Sequence, residues 1–159
     1  MTTYTLVHVA LSLGGIASGL VVLFGMIASK RLDGWTALFL ATTVATSATG
    51  FGFPFEHLLP SHVVGIISLL MLAVAIVARY TFRLAGAWRW IYVTGAVMAL
   101  YFNVFVLVVQ LFLKVPALKR MAPMQSEPPF LIAQLVVMAI FIVLGIVAGR
   151  SFRPTVAGA

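Results

Sequence analysis

With 159 residues, 63% of them hydrophobic and 8% charged, the chain carries more apolar surface than a water-soluble fold of this size can hide. A formal net charge of +7 would point to nucleic acid in a soluble protein. Placed around long hydrophobic runs, the same ten Lys and Arg residues record topology and contact with anionic lipid, which argues against a nucleic-acid partner.

Only helices and closed barrels satisfy every backbone group inside lipid, and the alternating pattern of a barrel strand is absent. The expected fold is therefore all-α: a single transmembrane domain over residues 1–159, with five helices at about 5–29, 35–53, 61–81, 88–114 and 130–149. The first apolar run has no basic region before it and reads as a permanent span rather than a cleaved signal. Its length, about 25 residues at 1.5 Å each, covers about 37 Å, enough for a tilted helix. Gly15-x3-Gly19, with Ser12 and Ser18 nearby, offers it a smooth face for close packing, within the chain or against a second copy.

The second span is rich in hydroxyls. Thr42, Thr46 and Thr49 share one face, which should turn toward protein and bond back to the preceding turn. Phe51 to His62 then forms a polar interruption that holds Glu56, His57 and His62. The third span is expected to start at Ser61 as N-cap after Pro60, and Arg79 near its far end can snorkel to the interface. The connection from Phe82 to Trp90 mixes basic and indole side chains, the chemistry of a turn at headgroup level.

In the fourth span Asn103 and Gln110, seven apart, fall on roughly one face. The connection from Val115 to Pro129 contains four prolines and should form an ordered lid rather than a free tether. The fifth span carries Gln134 near its start and is followed, beyond Pro154, by a short tail expected to be disordered.

Five spans put the termini on opposite sides. Lys30, Arg31, Arg79, Arg83, Arg89, Arg150 and Arg153 then share one end, against Lys114, Lys119 and Arg120 at the other, so the positive-inside rule places the N-terminus outside and the C-terminus inside an inner membrane. All three histidines and both glutamates fall on the outer side. His8, Gln110 and Gln134 share a depth, with Glu56, His57, His62 and Glu127 above them, so these seven form the expected ligand-binding layer. His8, His62, Glu56 and Glu127 are its metal-ligand candidates. Imidazole and carboxylate together suit a transition metal, and two imidazoles on different helices can ligate a haem b iron. With no cysteine, thiolate sites and disulfides are excluded.

His8-x6-Gly15-x3-Gly19, followed by Arg31-x2-Gly34, resembles the opening of small uncharacterised bacterial membrane proteins whose histidine-bearing helices are similar to those of b-type cytochromes. The resemblance covers the first quarter of the chain. Such proteins typically carry a histidine just before the loop arginine, where this chain has Lys30, so the resemblance implies at most one haem, at the outer side, with His8 as ligand.

Besides a cofactor protein, two classes fit the residues: a structural or accessory subunit, alone, as a homo-oligomer or in a larger membrane complex, and a small transporter. Ion transport would want acids at depth, and Asp33, Glu56 and Glu127 all lie in loops. A quinone site could use His and Gln as donors to carbonyl oxygens, but the chain has neither a nucleophile–base pair nor a Gly-rich phosphate cradle that would assign a reaction.

Overall fold

The apolar runs become helices whose large side chains point outward. In the computed structural model, which describes residues 3–53 and 60–154, the elements are α1 (Thr3–Ile27), α2 (Asp33–Gly50), α3 (Pro60–Ile76) continued by a π-helical turn (Val77–Thr81), α4 (Trp88–Lys114), the short α5 (Pro116–Met121) and α6 (Pro128–Ser151). No strand occurs among the described residues. The expected tail beyond Pro154 lies outside them.

Four helices are long and apolar enough to cross a membrane: Thr3–Ile27, His62–Thr81, Trp88–Lys114 and Pro128–Ser151. They make the chain a multi-pass membrane protein. The distribution of side chains agrees, because Leu131, Ile132, Leu135, Val136, Ile142 and Val143 cover the outside of α6 while Gly15, Ser18, Gly19, Thr43, Ala75, Ala96 and Ala99 are packed inside. Lipid tails are as apolar as leucine, so helices gain little by hiding leucine from them and gain contact by bringing small residues together.

The 18-residue α2 is not one of the four. Asp33 in its first turn and its threonines lower its hydropathy, and it compensates by packing along α1. Thr42 and Thr49 donate back to Leu38 and Ala45 carbonyls, each at 2.7 Å, as their face predicts.

α4 is the central pillar and touches every other helix. Gly15 makes the tightest junction: a Cβ there would lie 3.1 Å from Thr43 Oγ1 and 3.3 Å from Asn103 Nδ2, and Asn103 donates to Thr43 at 3.4 Å. Gly19 abuts Phe39 and Leu100. The small-residue face of α1 is thus spent on packing within the chain. Neighbouring long helices are antiparallel, so α1, α3 and α6 finish, and α2 and α4 begin, at one basic end.

That end is latched by polar contacts. Ser29, at φ 56 after α1, takes the left-handed position of a Schellman-type cap, with the Lys30 amide bonded to the Gly25 carbonyl at 2.8 Å. The Ser29 hydroxyl in turn accepts the Arg153 amide at 2.9 Å. Arg89 donates to the carbonyls of Gly149 and Phe152, closing the end of α6. Arg79 does not snorkel: it is 1% exposed, pairs with Asp33, donates to the Arg31 carbonyl at 3.1 Å, and lies 5.1 Å from the Tyr92 ring centre. The π turn shifts Arg79 out of α-helical register, which accompanies its inward direction.

Candidate functional site at the histidine-bearing end

At the opposite end, α1 presents Tyr4 and His8, one turn apart, to the last turn of α2. Tyr4 donates to the Thr49 carbonyl, and His8 Nδ1 lies 2.9 Å from Thr49 Oγ1. Both rings meet Phe53 edge-on, at 5.0 and 5.1 Å. The Thr49 hydroxyl also lies 2.7 Å from the Ala45 carbonyl, and when it donates there the His8 proton sits on Nδ1 and Nε2 is the acceptor. No described residue bonds Nε2.

His62 is buried beside the neighbouring aromatic, its ring 5.6 Å from Phe51. Phe51 also covers Gly65 on α3, whereas Gly50 and Gly52 face His8 and Tyr4 on α1. The two histidines therefore pack against different aromatics of the same chain end, His8 on the α1 side and His62 on the α3 side. Glu56 and His57 lie outside the described residues.

The remaining site residues are placed elsewhere. Gln134 is buried between α6 and α4, where its amide nitrogen donates to the Phe105 carbonyl at 3.2 Å and its oxygen has no partner among the described residues. Gln110 is exposed, although it is seven residues from the buried Asn103. Seven residues are about 20° short of two turns, and Gln110 lies two turns beyond the Gly15–Thr43 junction that buries Asn103. Glu127 turns back on its own loop, accepting the amides of Met124 and Ser126 at 3.1 Å each. Partial desolvation works to raise its pKa, but the amides of Met124, Glu127, Ser126 and Gln125 outweigh it and hold the carboxyl below its ordinary value.

The loop from Val115 to Pro129 forms the short α5 and packs on α4 and α6. Ala122 is fully buried with Phe112 and Phe130, and Gln125 donates to the Val109 carbonyl at 2.9 Å. Among the described residues, no three His, Asp or Glu side chains converge on a point that could hold a metal ion. Sequence reasoning missed two members of this end, Tyr4 and Thr49. A tyrosine and a histidine one helical turn apart carry a signal for a shared partner, but only the fold identifies that partner as α2. No family model, curated protein or solved structure matches this chain.

Proposed function

We propose that the chain is a five-span, N-out and C-in scaffold of an inner membrane, an accessory subunit whose polar residues hold its helices and lid together. The observation that carries this reading is the use of those residues within the protein: His8 on Thr49, Gln134 on Phe105, Glu127 on its own loop, and His62 likewise engaged. A charge-poor helix such as α2 is held in lipid by such bonds, since each unmet polar group there costs free energy. The orientation rests on the seven-to-three division of basic residues between the two ends.

A second reading is favoured by His8. Its Nδ1 is bonded to Thr49 and its Nε2 is hydrogen-bonded by no described residue, an arrangement that suits an imidazole ligand of a metal or haem iron. His62, His57, Glu56, Glu127, Gln110 and Gln134 are the further donors of this reading, and a quinone carbonyl is its third ligand class. Detergent-purified protein discriminates the two. The scaffold reading expects no Soret band, no stoichiometric metal, and a loss of thermal stability in His8→Ala. A haem band or bound metal that disappears in His8→Ala, with metal affinity falling as pH drops through the histidine range, would replace the scaffold reading with the cofactor one.

A further inference from the structure

A groove of about 390 Å³ runs along the lipid-facing seam between α4 and α6, walled by Trp90, Thr94 and Tyr101 on one helix and Met138, Ile142 and Ile146 on the other. Between the walls lie Val97, Phe141 and Gly145, where a Cβ on Gly145 would come 3.2 Å from Val97 Cγ1. The groove starts at the basic end and stops at mid-bundle. From Trp90 to Tyr101 is eleven residues, about 16 Å of helix, which matches one leaflet of a hydrocarbon core about 30 Å thick. A transmembrane helix from another chain would need the full thickness.

The mouth carries charge. Arg150 continues the Met138, Ile142, Ile146 row by one more turn, is exposed, and makes no hydrogen bond or ion pair with any described residue. Asp33, the acid at this end, is already taken by Arg31 and Arg79. Between mouth and floor lies Thr94, exposed on the groove wall. Unlike Thr42 and Thr49, it does not bond back to its own helix, so its hydroxyl faces the groove without a partner among the described residues. A polar donor one turn below an interfacial tryptophan sits at the depth of lipid ester carbonyls.

From these three features we infer that the α4–α6 groove binds one anionic phospholipid of the leaflet at the basic end, with phosphate at Arg150, an ester carbonyl at Thr94, and an acyl chain along the groove to Tyr101. The inference rests on the membrane reading, and holds whether the protein is a scaffold or carries a cofactor.

The test uses the full chain with Trp35→Phe and Trp88→Phe, leaving Trp90 as reporter, in phosphatidylcholine nanodiscs to which brominated-chain phosphatidylglycerol or brominated-chain phosphatidylcholine is added at equal mole fraction. Brominated phosphatidylglycerol should quench Trp90 more strongly. Arg150→Gln should lower that preference roughly fivefold, the value of one arginine at an anionic surface, and Arg150→Lys should keep most of it. Thr94→Phe, which fills the groove without touching the charge, should remove the excess quenching while circular dichroism and melting stay unchanged. Equal quenching by the two lipids in the parent, or a preference that survives both Arg150→Gln and Thr94→Phe, would overturn the inference. So would shielding of Trp90 from both lipids together with a cross-linked dimer, which would make the groove an interface between copies.

Discussion

Gly15 has no side chain where α1, α2 and α4 meet, and that absence sets how closely the three approach. Thr43 Oγ1 and Asn103 Nδ2 stand 3.1 and 3.3 Å from where a Cβ would sit, and both belong to short side chains with little room to retreat. Gly15→Leu should therefore destabilise the bundle by about 1–3 kcal/mol, read as a lowered melting temperature in detergent, while Gly14→Leu, where a Cβ would meet nothing within 4 Å, should not. Arg79 makes the second residue-scale prediction. Its guanidinium is buried and Asp33 is its counter-ion, yet the Asp33 side chain is 68% exposed. Removing a charge from a fully buried pair costs about 3–5 kcal/mol; with one partner solvated, Asp33→Asn should cost less, about 1–2 kcal/mol. If the melt is unchanged, Tyr92 and the Arg31 carbonyl suffice to hold Arg79.

At the scale of elements, the last turn of the lid from Val115 to Pro129 is tied by one acidic side chain. Glu127 accepts two loop amides, and its carboxyl titrates below its ordinary value, so the folded lid binds that proton less readily than the open one does. The contribution of Glu127 is therefore complete above the ordinary carboxylate pKa, about 4.3, and is lost as pH falls through the lower folded value. Hydrogen exchange should show the Met124 and Ser126 amides losing protection in that acidic window. Glu127→Gln should lower their protection already at neutral pH and remove the pH dependence. The helices themselves should keep their protection, since α6 uses the Glu127 carbonyl, which accepts the Phe130 and Leu131 amides, and not the carboxylate that titrates.

For the molecule as a whole, the decisive quantity is which end faces which compartment. The chain has no cysteine, so a single introduced one reports its own position. Met124→Cys, at a side 79% exposed on the lid, should react with an impermeant maleimide in intact cells, and Arg153→Cys should react only after lysis. The reverse pattern would invert the proposed orientation. Labelling of both in intact cells would mean that α6, the one long helix between Met124 and Arg153, does not span.

The apolar runs, their lengths and their charged borders are local properties, and they alone determined that this is an all-helical membrane protein and where its helices lie. Lipid makes that reading direct, because every backbone group must be satisfied within its own helix. The direction of each polar side chain is not local. Arg79 was expected to reach outward and is drawn inward by Asp33, 46 residues away. Gln110 and Asn103 share a nominal face, yet one is exposed and the other buried. His8, Gln110 and Gln134 share a depth along the bundle axis with Glu127 above them, but depth is one coordinate of three. Only the packing of α1 on α2 and of α6 on α4 decided their rotation about that axis, sending each polar group to a different neighbour because a buried donor or acceptor takes the nearest partner within reach.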